Sequence, residues 1–196
     1  MLSAWPAFAQ GRPTLDEYKK DKGRVEAFLA DYLESEWGLK GENTGKLVGW
    51  VVKYSLANDT DPLIQMARIL KESSGRHYRL NSRGERQVVK GDGGSIGLSQ
   101  VHPFWIGKTV SGEKITKEKL LDPESNVRIG ILLYKRYDYG DYMEALTHYN
   151  NPKAKSPNTY AKNVDRIYKY MLTKFRSFEY IPPPVKSAQG SAILVR

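Results

Sequence analysis

The stretch Asp61-Pro62-Leu63-Ile64-Gln65-Met66-Ala67-Arg68-Ile69-Leu70-Lys71-Glu72-Ser73-Ser74-Gly75 reads as one helix with a carboxylate at its end. Asp61-Pro62 is a start signal, because proline lacks the N–H that the first helical position cannot use. Leu63, Met66, Ala67 and Leu70 then recur on one face at helical spacing. At about 100° per residue, Glu72 falls opposite Leu63 and Leu70, on the side of Gln65 and Arg68. It therefore points away from the apolar stripe, in the last turn. There the macrodipole sets partial negative charge beside a carboxylate, which disfavours ionisation and raises its pKa.

Further helices are expected on both sides. Upstream, Thr14-Leu15-Asp16-Glu17 is a capping box, followed by Val25, Phe28, Leu29, Tyr32 and Leu33 at helical spacing and a stop at Gly38. A second helix follows Thr44, with Leu47, Val48, Val51 and Val52 as its stripe. Downstream, Asp122-Pro123 repeats the start signal before Val127, Ile131 and Tyr134, and Gly140 closes that helix. A short helix carries Tyr142, Ala145, Leu146 and Tyr149. The last runs from about Thr159, with Tyr160, Val164, Ile167, Met171 and Phe175 on one side. Between Gly75 and about Ser95 lies a long irregular stretch, and a loop of that length in a compact domain is usually functional. Within it Arg86-Gln87-Val88-Val89-Lys90 suits a small hairpin or a loop. The fold class is mainly α.

With 196 residues the chain predicts one domain. No run reaches the roughly 18 apolar residues of a membrane-spanning helix. The absence of cysteine excludes disulfide frameworks, thiolate zinc sites and cysteine nucleophiles. Lys and Arg outnumber Asp and Glu by 31 to 22, a net +9 that favours polyanionic partners. That charge is spread along the chain with no nucleic-acid-binding motif, so no nucleic acid is expected. His77, His102 and His148 lie apart with no carboxylate at ligand spacing, so neither metal nor cofactor is expected. Residues 1–13 read as the remnant of an export signal or a disordered terminus, since Ala7-Phe8-Ala9 has the small-x-small form of a cleavage site. Residues 178–196, with Pro182-Pro183-Pro184, read as an extended tail.

A lone glutamate at a helix end is ordinarily a solvated surface residue. Its neighbours in sequence change that reading. Gly93-Gly94-Ser95-Ile96-Gly97-Leu98-Ser99-Gln100 permits close backbone approach and ends on a side chain with both a donor and acceptors. His148-Tyr149-Asn150-Asn151-Pro152 ends a short helix in a turn, and Thr159-Tyr160-Ala161 opens the last one.

In this order the segments resemble the soluble lytic transglycosylases of the goose-lysozyme-like superfamily. That family has Glu-Ser-x, then Gly-Leu-Met-Gln, then Ala-Tyr-Asn, then a tyrosine opening the last helix. The matches are Glu72-Ser73, Gly97-Leu98-Ser99-Gln100, Tyr149-Asn150 and Tyr160, joined by Asp122-Pro123-x-x-Asn126 and Gly130. The resemblance spans about Asp61 to Phe175. Ser99 stands where the family has Met, and His148, beside the expected cleft, where it has Ala. The gap from Glu72 to Gly97 is several residues longer, so Ser82 and Ser95 are both candidates for the hydroxyl that meets substrate near the acid.

The resemblance implies a lysozyme-like helical domain over residues 61–177, with a long loop or small β-hairpin beside its cleft. Residues 14–60 would be a helical segment packed on it, bracing it or meeting an assembly partner of the cell envelope. It implies cleavage of the β-1,4 bond between N-acetylmuramic acid and N-acetylglucosamine in peptidoglycan, by a monomer at a periplasmic or otherwise exported location. Glu72 would be the catalytic acid, with Ser82, Ser95, Ser99, Gln100, Tyr149, Asn150 and Tyr160 as the substrate-binding set. One carboxylate acting twice suffices if the sugar's own 6-hydroxyl closes a 1,6-anhydro ring. A water-using muramidase needs a second carboxylate, for which Glu85 and Asp92 are the candidates. A non-catalytic glycan-binding module is the remaining alternative.

Overall fold

The computed structural model describes residues 11–182. The export-signal reading of residues 1–10 and the tail beyond residue 182 lie outside the described residues. Among those described are eight α-helices and two small antiparallel hairpins. None of the helices is long and apolar enough to cross a membrane.

Helices α1 (Leu15–Lys20) and α2 (Lys22–Trp37) replace the single helix expected up to Gly38. The capping box forms as read, with the Thr14 hydroxyl accepting from Glu17 N–H and the Glu17 carboxylate from Thr14 N–H. The break falls at Asp21, in a run from Lys19 to Arg24 that has no apolar residue to hold it against a core and includes Gly23, a poor helix former. Gly38 ends α2 in the left-handed region (φ 62°), and Leu39 N–H closes onto Leu33 C=O. Helix α3 (Glu42–Ala57) starts ahead of Thr44, on Gly41.

Helix α4 (Pro62–Ser73) is the axis of the fold and packs against α3 and α8 (Thr159–Ser177). Asp61 caps it, accepting from the N–H groups of Leu63 and Ile64 and from the Tyr168 hydroxyl at 3.0 Å. Burial pushes the Asp61 pKa up, against the pull of those donors. Val25, Phe28, Leu29, Val51, Val52, Leu63, Met66, Leu70, Val164, Tyr168 and Met171 build one core that joins α2, α3, α4 and α8.

After α4 the chain forms a hairpin of β1 (Tyr78–Leu80) and β2 (Arg86–Val88), in register Tyr78↔Val88 and Leu80↔Arg86. A second hairpin, β3 (Thr109–Val110) with β4 (Glu113–Lys114), and α5 (Lys117–Leu121) were not legible in the sequence. They pack with α6 (Pro123–Lys135) around Val110, Ile115, Leu120 and Ile129. Helix α6 ends at Lys135 rather than at Gly140. Tyr137 and Asp138 turn back onto Tyr134 and Lys135, and Gly140 (φ 104°) instead belongs to the link into α7 (Tyr142–Asn150).

Candidate active site

Glu72 lies in the last turn of α4, half-buried, on a cleft of about 1140 Å³ that Ser95, Gln100, Trp105, Tyr149 and Asn150 also line. The Tyr160 hydroxyl, from the first turn of α8, donates to Glu72 Oε1 at 2.7 Å. Burial raises the Glu72 pKa, while the Tyr160 bond and the nearby charges of Arg68 and Lys71 pull it back. The direction agrees with the helix-end argument. The leading cause is desolvation, which favours the neutral acid.

Beneath Glu72, the face of α4 that reads as polar is not solvated. Arg68 is 0% exposed. Its guanidinium donates to the Tyr149 hydroxyl at 2.8 Å, to Gln65 Oε1 at 3.0 Å and to Ser99 Oγ at 3.4 Å, and it lies 4.6 Å from the Tyr149 ring centroid. The Tyr149 hydroxyl in turn donates to Ser99 C=O at 2.7 Å. Three segments distant in sequence thus share one polar network. Sequence reasoning placed Arg68 beside Glu72 but could not reveal its burial, because charged residues on a helix face ordinarily meet water.

The Gly97–Gln100 loop is pinned from below by Asn126 of α6. Asn126 Oδ1 accepts from Ser99 N–H at 2.8 Å, and its Nδ2 donates to the carbonyls of Ile96 and Leu120. Two motif glycines make room for this arrangement. A Cβ on Gly97 (φ 76°) would come within 2.5 Å of Asn126 Nδ2, and one on Gly130 would run into Ser99 and lie 3.0 Å from Arg68 Nη2. Gln100 has φ 46° and donates from Nε2 to Gly97 C=O at 2.6 Å, lying over Gly91 where a Cβ would collide with it.

Of the candidate residues, Glu72, Ser95, Gln100, Tyr149 and Asn150 come together on the cleft. Tyr160 reaches Glu72 but is not among the side chains lining that cleft. Ser99 does not reach it: the side chain is 0% exposed and engaged with Arg68. Nor does Ser82, which sits exposed in the turn of the β1–β2 hairpin. The Tyr149 hydroxyl is committed to Arg68 and Ser99, which leaves its ring for the cleft. His148, expected beside the cleft, pairs with Glu144 at 3.5 Å and is not among the cleft's lining side chains.

The two spare carboxylates separate clearly. Glu85 accepts from Asn81 Nδ2 at 2.8 Å within the hairpin turn, away from the cleft lining. Asp92 lines the cleft, at the start of a 3₁₀ turn over Asp92–Gly94. Sequence reading missed Phe104, Trp105, Lys108, Arg136 and Lys153 as lining residues, because they come from three elements with no shared motif. Among the described residues no group of three His, Asp or Glu side chains could hold a metal ion.

Among known families, the chain matches a model described as the transglycosylase SLT domain over residues 51–171. It takes in the end of α3 and the chain through to the last turns of α8, including every element that builds the cleft. No curated protein and no solved structure matches.

Proposed function

Since the chain belongs to the transglycosylase SLT family, of the lysozyme-like superfamily, we propose that it is a lytic transglycosylase in which Glu72 is the single acid and base. The observation that carries this reading is the Glu72–Tyr160 pair. A half-buried carboxylic acid, held by one hydroxyl donor at 2.7 Å, opens on a cleft large enough for several sugar rings.

In this reading protonated Glu72 gives its proton to the glycosidic oxygen as the bond from the muramic C1 to that oxygen breaks. The muramic N-acetyl carbonyl stabilises the positive carbon. Glu72, now a carboxylate, takes the proton of the same sugar's 6-hydroxyl while O6 bonds to C1, closing the anhydro ring and restoring the acid. A raised pKa serves the first step. The Arg68 charge and the Tyr160 donor serve the second by holding the anion that the first leaves behind. The tethered hydroxyl needs no second base, since positioned intramolecular groups act as if present at ~10⁵ M or more. Gln100, Ser95 and Asn150 would hold polar groups of the sugars, and the Tyr149 ring an apolar sugar face. The substrate sets the place of action at the cell envelope.

One observation favours a second reading. Asp92 lines the same cleft and could orient water, which would make the enzyme a muramidase. Weighing the muropeptides released from purified peptidoglycan separates the two. Anhydro ends, lighter by one water, are expected. Mainly reducing ends would overturn the transglycosylase reading and make Asp92 the residue to replace.

A further inference from the structure

A second groove, of about 490 Å³, shares no lining residue with the Glu72 cleft. It is formed by the β1–β2 hairpin with the segment leading into it, and by the link from α2 into α3. Its apolar lining includes Leu39, Leu47, Trp50 and Leu80, and Leu80 is left 72% exposed. Its charged lining is wholly positive: Lys40, Arg76, Arg79 and Arg86, with no Asp or Glu. Lys40 has Glu34 at 3.8 Å, and Arg86 lies over the Tyr78 ring, 3.8 Å from its centroid. Arg76 and Arg79 are exposed and, among the described residues, have no carboxylate partner.

One wall of this groove, over residues 38–50, lies ahead of the matched region, and the other is the hairpin that lengthens the gap between Glu72 and Gly97. A lone exposed leucine is ordinary. One that continues a concave apolar surface rimmed by unpaired positive charge marks a docking surface. We propose that the groove docks an acidic peptide segment of another protein, which seats an aliphatic or aromatic side chain against Leu39, Trp50 and Leu80. Charge decides the occupant. Residues 1–10 and 183–196 of this chain hold no Asp or Glu, and the latter bring Lys186 and Arg196, so neither end of the chain complements the groove. A second copy, at net +9, would be repelled on approach. An acidic segment is instead steered in by the arginines and held by its apolar anchor. Docking here is independent of the chemistry assigned to Glu72.

The test pans a random dodecapeptide library displayed on phage against the immobilised full-length protein, with the Arg76→Glu/Arg79→Glu protein as counter-selection. Enriched peptides should be acidic and carry at least one Leu, Ile, Phe or Trp. In fluorescence anisotropy, a labelled synthetic copy should bind the double variant at least ~10-fold more weakly, as two exposed pairs become two repulsions. Raising salt to about 0.5 M should weaken its binding to the parent. Lys162→Glu/Arg166→Glu, exposed on α8, makes the same change in net charge away from the groove and should leave affinity nearly unchanged. Serine in place of the peptide's apolar residues should weaken binding, as should Leu80→Ser. Enrichment of peptides without net negative charge, no enrichment over the counter-selected protein, or equal losses in the two double variants overturns the proposal. Undiminished affinity of the serine-substituted peptide also overturns it, leaving a surface that attracts any polyanion. Sedimentation showing a parent dimer that Arg76→Glu/Arg79→Glu breaks would overturn it in favour of a second copy.

Discussion

Tyr160 donates its hydroxyl to Glu72 at 2.7 Å, joining the first turn of the last helix to the last turn of α4, 88 residues away. This bond is the stabilising contact that the ionised acid has from a neutral group. Burial pushes Glu72 toward its protonated form, and Tyr160, Arg68 and Lys71 push it back. In the proposed mechanism Glu72 gives a proton and then takes one, and such a group needs both tendencies.

Glu72→Gln should lower turnover of peptidoglycan by at least ~100-fold, the scale of general acid–base catalysis, while the protein stays folded. It should also alter stability in a pH-dependent way. The folded-state pKa lies above the ordinary glutamate value of 4.5, so Glu72 favours folding below 4.5 and loses that contribution as pH rises through its folded pKa. The variant should therefore gain thermal stability over the parent with rising pH, and the gap should be smallest and flat below pH 4.5. A difference that does not vary with pH would show that Glu72 titrates as an ordinary surface carboxylate.

Tyr160→Phe removes a donor from Glu72, and Tyr149→Phe strands Arg68 and the Ser99 carbonyl. The first should move the alkaline limb of the pH–activity profile upward, because it deletes a cause that lowers the Glu72 pKa. The second should cost about 1–3 kcal/mol in unfolding free energy, since it leaves a buried charged donor without its partner. Equal stability losses in the two variants, with unchanged pH profiles, would mean that both tyrosines only pack.

Arg68→Met and Arg68→Lys separate charge from shape. With Met in place the counter-charge to Glu72 is gone, so the Glu72 carboxyl, followed by ¹³C NMR, should titrate at higher pH. Lys keeps the charge, so its titration should stay near the parent's even though Lys cannot reproduce the contacts to Tyr149, Gln65 and Ser99 together. Matching titration curves for the Met variant and the parent would remove Arg68 from the electrostatics of the site.

Ser99→Met would install the residue of the resembled family and should still destabilise, by about 1–3 kcal/mol, as overpacking does. Ser99 Oγ already shares its space with Arg68 Nη2 and the close face of Gly130. Combined with Arg68→Ala, the same substitution should cost less than the sum of the single losses, because a smaller side chain opens room for the thioether. Additive losses in urea unfolding would show that the two positions do not share a volume.

Much of the site was legible because its parts are local. Asp61-Pro62 and Asp122-Pro123 open their helices as read, since an N-cap and a proline act within one turn. Glu72, Gln100, Tyr149 and Asn150 sit in short motifs whose order survives without knowledge of the fold. Ser82 and Ser95 could not be told apart by counting residues. The hairpin takes up the extra length, carrying Ser82 away in its turn and leaving Ser95 on the cleft.

By itself, then, the sequence determined most of the helices and their caps, which depend on residues within a turn or two of each other. Only the tertiary structure decided what surrounds Glu72. The polar side of α4 carries Gln65, Arg68 and Glu72, and its period cannot say whether water or protein will cover it. Contacts with Tyr149 of α7 and with Ser99 of the Gly97–Gln100 loop accompany the complete burial of Arg68, and Tyr160 of α8 meets Glu72 one turn further on. Burial and partnership are properties of groups far apart in sequence and close in space. The pKa of Glu72 therefore rests on the charges of Arg68 and Lys71 along its own helix, and on desolvation and a Tyr160 hydroxyl that α4 by itself could not supply.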